Sequence, residues 1–159
     1  MLGRKKQHSK DGGRQAKGES GHSLMQADAI ALEMAQAQVV FEQLIALEAA
    51  YDARLGALYA DDGVVIERTL DQGVVRRTRE IPVPRYRAAL EASLAFSKKA
   101  RERSFHTQIL ADHQGPGWVT VRSMRRSSQA RQPAPYEVTL RREPDGNWRI
   151  ARETATLLL

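Results

Sequence analysis

The stretch LYADDGVVIERTLDQGVVRRT, residues 58–78, decides the fold. A helical pattern runs into two adjacent acids and a glycine, then gives way to two β-rich runs. Upstream, Phe41, Leu44, Leu47, Tyr51, Leu55 and Leu58 recur at spacings of three and four, which is one face of a helix. Asp62-Gly63 reads as the close of that helix, with Asp bonding to nearby backbone and Gly free to take positive φ. Val64–Thr69 and Val74–Arg79 are then expected strands, joined into a hairpin at LDQG. Whether residues 24–60 form one helix or two stays open, since no Pro or Gly forces a break before Gly56.

Downstream, Pro82 and Pro84 bracket a short extended link, and proline suits the first turn of a second helix. Tyr86, Ala89, Leu90, Ser93 and Leu94 give that helix a face for close packing. Lys98, Lys99, Arg101 and Arg103 collect at its C-terminal end, where they favour the negative pole of the dipole. The remaining signal is β: Phe105–Ala111, Trp118–Arg126, Tyr136–Arg142 and Trp148–Thr156, with turns at DHQGPG and EPDGN. The order helix, hairpin, helix, four strands predicts an α+β domain, with helices on one face of a curved, mostly antiparallel sheet.

A chain of 159 residues is long enough for one domain with a substantial core. The net charge of +6 is uneven, because residues 1–23 hold six Lys or Arg against two acids. That segment is nearly free of apolar residues, so a disordered basic tail is expected over 1–23 and a single domain over 24–159. The tail has no apolar middle of the secretory kind, and no run is expected to cross a bilayer. With no cysteine, disulfides, thiolate nucleophiles and cysteine metal sites are excluded. A nucleic-acid arm is not favoured, since no aromatic residues interleave the tail's charges. The expected location is cytoplasmic.

Three strings, ALYADDGVVIE, IPVPRYRAALEASL and YEVTLRREPDGNWRIARE, resemble the nuclear transport factor 2-like superfamily, also called the cystatin-like α+β cone. The resemblance covers about residues 38–155 and is strongest to uncharacterised bacterial members. It implies helices packed on a highly curved six-stranded sheet, an apolar cavity and a homodimer formed by the outer sheet face. The superfamily hosts isomerases, dehydratases, cyclases and dimerisation modules, so fold alone does not set function. In its ketosteroid isomerase-like branch a base lies on the first strand, five positions after the second Asp of the pair; here that is Glu67. A second acid on the strand before the last hairpin would correspond to Glu137. The tyrosine of that branch falls at Gln43 or Leu44 here, and Tyr51 lies about two turns later.

The catalytic candidates are therefore Glu67, Glu137 and His106, since two carboxylates tuned in opposite directions could run a proton transfer. Tyr51, Tyr59, Tyr86, Phe96, Trp118 and Tyr136 are the expected lining of a cavity. No metal is expected at Asp61 and Asp62, because no further oxygen or nitrogen ligands are placed to converge on them. The odd spacing of His106 and His113 puts them on opposite faces of a regular strand. No phosphate loop or dinucleotide fingerprint can be assembled, and no cofactor is expected. Three readings follow: a dimeric module binding a small hydrophobic ligand, a small isomerase or dehydratase using Glu67 as base, or an interaction domain whose basic tail meets an acidic partner.

Overall fold

The computed structural model describes residues 16–159. Helix α1 (Ala16–Ala49) leads through a 3-10 turn (Ala53–Leu58) into strands β1 (Tyr59–Asp71) and β2 (Val74–Pro82). Helix α2 (Val83–Lys99) follows, then β3 (Ser104–Gly115), β4 (Trp118–Ser127), β5 (Ala134–Arg142) and β6 (Trp148–Leu158). The strands form one open sheet in the order β2-β1-β6-β5-β4-β3. Every neighbouring pair is antiparallel except β1 with β6. The α+β class and the element order expected from the sequence are those observed. Of the tail expected over 1–23, residues 1–15 lie outside the described residues, and residues 16–23 are the first two turns of α1.

The first helix ends earlier than Asp62-Gly63. Tyr51 takes a left-handed φ of 53°, the Asp52 amide bonds the Leu47 carbonyl (2.9 Å) and the Tyr51 amide bonds that of Glu48 (3.0 Å). This is a Schellman closure with tyrosine where glycine is usual. Helix α2 ends the same way at Arg101 (φ 54°), with the Glu102 amide on the Ser97 carbonyl. The Tyr51 hydroxyl donates to the Glu102 carbonyl (2.6 Å) and so joins the two helix ends. Asp61 and Asp62 stand within β1, and Gly63 does not have positive φ. A Cβ on Gly63 would lie 3.0 Å from the carbonyls of Ala60 and Ala151 and from Val83 Cγ2. Close approach, not backbone conformation, calls for glycine there.

The core lies between the helices and the inner sheet face. Ala37, Phe41 and Leu44 of α1 meet Val119, Val121, Val138, Leu140 and Ile150, all buried. Burying a ring such as Phe41 contributes about 2–3 kcal/mol. Among the described side chains, those of the C-terminal half of α1 take part: residues 23–32 are all exposed, and burial begins at Glu33. By length and composition Ser23–Ala49 is apolar enough to cross a membrane, which differs from the expectation of no such run. The alanines and the absence of Lys or Arg from residues 18–53 raise its hydropathy without a long unbroken apolar string.

A bulge alters the reading of β3. Gln108 takes φ 54° and the register slips between Thr107 and Leu110. One extra residue there reverses the alternation beyond it. His106 therefore pairs with Arg125 and His113 with Val119, and both histidines face the helices despite their odd spacing.

Candidate functional site

The inner face of the sheet carries an unusual row. Cross-strand partners share a face, so Arg79, Glu67, Ala155, Tyr136 and Ser123 line up across five strands. The next row is Ile81, Val65, Glu153, Val138 and Val121. Beyond Ser123, Arg125 and His106 extend the polar group towards β3. A carboxylate, an arginine and a histidine thus face the helices among valines and aromatic rings.

Glu153 is the deepest of these, 7% exposed, and accepts a short hydrogen bond from the Tyr59 hydroxyl. Burial pushes its carboxyl up, and the Tyr59 hydroxyl and the Arg125 charge only partly oppose that. Arg125 is the cation nearest to two carboxylates, and Glu48 of α1 takes it, with Nη2 donating to Oε1 at 2.5 Å. Despite burial, His106 and Arg125 hold Glu48 down at about 2. An ionised Glu153 would then lack a cation of its own, and an uncompensated buried charge is costly. The environment therefore favours its neutral form. Burial raises Tyr59 and Tyr136 far above the phenol range, so both keep their protons.

His106 Nδ1 shares a hydrogen bond with Ser123 Oγ (2.9 Å), and its ring meets Phe41 and Tyr136 edge-on at 5.5 and 5.0 Å. Its Nε2 is buried with no hydrogen-bond partner, and Glu48 is 3.9 Å away. The Tyr59 ring stands 5.1 Å from that of Tyr86 on α2. Tyr86 in turn lines a cleft of about 300 Å³ between α2 and the β1–β2 hairpin, with Glu67, Arg79, Ile81, Ala89 and Ser93 among its walls. A line of side chains, Tyr86–Tyr59–Glu153, thus runs from the cleft to the buried acid.

The expected site residues divide accordingly. Tyr59, Tyr86, Tyr136 and His106 lie in this inner group, and Glu67 faces the cleft, where Arg79 pairs with it at 3.3 Å. Glu137 lies on the opposite sheet face, where Arg122 bonds it at 2.8 Å and reaches Asp112 at 2.6 Å. Strict alternation along β5 puts it back to back with Tyr136. Trp118 also points outward, 40% exposed under Arg141, and Phe96 is 73% exposed on the solvent side of α2. Tyr51 is engaged in joining the helix ends. Glu153 and Glu48 were not among the sequence candidates. Glu153 had a signal, a carboxylate in phase with Ala155 and Ala151 on the last strand, but nothing local separates it from a solvated glutamate.

Asp61 and Asp62 belong to a different feature. Arg87 of α2 donates to Asp61 (2.6 Å) and to the carbonyls of Tyr59 (2.5 Å) and Gly56 (2.9 Å). Arg141 donates to Asp62 (2.6 Å) and to Glu143 (2.9 Å). These groups line a depression of about 940 Å³, and its charges satisfy one another. Among the described residues no three His, Asp or Glu side chains are placed to hold a metal ion.

No family model matches the sequence, and no curated protein is significantly similar to it. Solved structures do match. A scytalone dehydratase-like protein from Novosphingobium aromaticivorans superposes on 80% of this chain and 85% of its own, with TM-score 0.56 and 18% identity. A cystatin-like fold protein from Burkholderia xenovorans matches over 79% and 92%, with TM-score 0.57 and 15% identity. A ketosteroid isomerase-like protein from Shewanella frigidimarina matches over 75% and 93%, with TM-score 0.56 and 16% identity. At such identities the likeness defines architecture. This chain has a cystatin-like α+β fold.

Proposed function

We propose that the chain is a small-molecule-binding module whose ligand enters the cleft between α2 and the β1–β2 hairpin. The carrying observation is the placement of the Tyr86 phenol, which lines that cleft and stands against Tyr59, itself bonded to Glu153. Ile81, Ala89 and Leu90 supply apolar contact, and the cleft volume suits a ligand of one or two rings. A hydroxyl or carbonyl on that ligand would meet the Tyr86 phenol, with Glu67 and Arg79 at the rim. The test is a two-dimensional NMR screen with cyclic and aromatic ketones and alcohols. Shifts should cluster on Glu67, Ile81, Tyr86 and Ala89 and vanish in Ala89→Trp, which fills the cleft. Shifts confined to the depression around Asp61 and Arg141 would sink the reading.

A second reading, proton transfer of the isomerase or dehydratase kind, is favoured by one feature: a carboxyl whose neutral form burial favours, standing behind two phenols. Such a group strengthens a hydrogen bond to an oxygen that gains negative charge. Glu67, beside the same cleft, is the base in this reading. Two of the similar structures carry isomerase-like or dehydratase-like names. Deuterium uptake next to the carbonyl of a bound ketone would report the reaction. Uptake should be lost in Glu67→Gln and reduced in Glu153→Leu. A ligand that binds with no uptake leaves the binding reading alone.

A further inference from the structure

We infer that the solvent side of α1 pairs with α1 of a second copy of this chain, antiparallel and centred on Leu32. Met25, Leu32 and Val39 are 72%, 59% and 51% exposed. They recur every seven residues, so they follow one line along the helix, on the side away from the core positions Ala37, Phe41 and Leu44. Alanines at 29, 35 and 46 flank that line and allow close approach of a second backbone. The part of α1 over residues 23–32 is exposed throughout, and a helix draws most of its stability from packing.

Two independent features select a second copy, and an antiparallel one. The first is charge. Residues 18–53 contain no Lys or Arg and six acids, whereas residues 1–17 contain six Lys or Arg and one acid. A parallel pair would set Glu42, Glu48 and Asp52 of the two copies side by side, and an antiparallel pair about Leu32 sets Glu42 and Glu48 beside partner positions 22 and 16, which carry no acid. Leu32 is also next to the midpoint of Ala16–Ala49, so pairing there overlays the whole helix, roughly 50 Å of it. The second is shape. Beside Val39 lies a depression of about 420 Å³ walled by Gln36, Gln43, Leu58 and Trp148. Pairing about Leu32 delivers the second copy's Met25 to this hollow, and a flexible thioether suits such a gap. The outer sheet face presents Arg68, Arg122, Glu137 and Arg152 beside the exposed Leu110 and Trp118, and so is more highly charged than the line on α1.

Light scattering after gel filtration should give twice the 17.8 kDa chain mass at tens of micromolar. Leu32→Lys should return the monomer mass and keep a cooperative unfolding transition, since Leu32 lies outside the core, with a midpoint lowered to that of the unpartnered chain. The chain has no cysteine, so introduced ones report geometry cleanly. Leu32→Cys should crosslink to itself under oxidation. Met25→Cys alone should not, and Met25→Cys combined with Val39→Cys should. A monomeric wild type, a dimer that survives Leu32→Lys, or efficient crosslinking by Met25→Cys alone would overturn the proposal. The second of these would direct attention to the outer sheet face. A wild type that is monomeric in buffer and sediments with anionic phosphatidylglycerol vesicles would overturn it in favour of a membrane surface.

Discussion

Three residues set what single substitutions should do. Glu153 has its carboxyl raised by burial, so its contribution to stability is full below its unfolded value and is lost as pH rises towards the folded one. Glu153→Gln keeps an acceptor for Tyr59 and removes that loss. It should match wild type in urea unfolding near pH 4 and exceed it at pH 7 to 8; equal stability at both would mean the carboxyl ionises freely. Gly63→Ala should destabilise by about 2 kcal/mol, because the added methyl meets two carbonyls and Val83 in a closed space. A thermal melt within a degree of wild type would refute that contact. Glu67→Gln should leave stability within about 0.5 kcal/mol, since the Glu67–Arg79 pair is half exposed. Glu67 was legible as a cleft residue only through the resemblance, and Glu153 only as one more strand glutamate in phase with alanines. Both are glutamates in alternating strands, and what separates them is which strand covers which.

Among elements, α1 is held at its middle by a polar clasp. Glu33 accepts from the Gly117 amide (2.9 Å), pairs with His113 (3.0 Å) and meets Arg142 (3.3 Å), at the turn between β3 and β4. Against the effect of burial, these groups hold its carboxyl below the ordinary range. Glu33→Ala would leave a buried amide unsatisfied and should cost about 2 kcal/mol at pH 7. The difference from wild type should shrink below pH 4, where protonation weakens the clasp; a constant difference would mean the loss is only packing. The clasp depends on the bulge at Gln108, which turns His113 inward. Strand identity was readable from the β-branched run around it, but a single extra residue leaves no mark in composition. The end of the first helix was misplaced for a related reason: left-handed Tyr51 occupies a position that propensity assigns to glycine, and its hydroxyl on the Glu102 carbonyl fixes it there.

At the scale of the molecule, acid should unfold the protein through its clasped carboxylates. Glu33, Glu48, Asp62 and Asp145 are all held below their ordinary values. Each contributes stability above its unfolded pKa and loses it as pH falls through the folded one. For Glu48 that window runs from about 4.5 to about 2. Glu153 acts in the opposite sense, so stability should peak at mildly acidic pH and drop steeply below pH 4. A midpoint of thermal unfolding that is flat from pH 3 to pH 7 would contradict this.

By itself the sequence determined the class and order of elements: apolar periodicity, proline at a helix start and glycine turns act within a few residues. It also determined that any site must work without cysteine. Tertiary structure alone decided which side each side chain serves. Glu137 and Tyr136 are neighbours in the chain and sit on opposite faces of one strand, while Glu153 and Tyr59 are 94 residues apart and share a hydrogen bond. Periodicity is a local property and burial is a collective one. The carboxyl that lost its water could therefore be named only after α1, α2 and the sheet had closed over it.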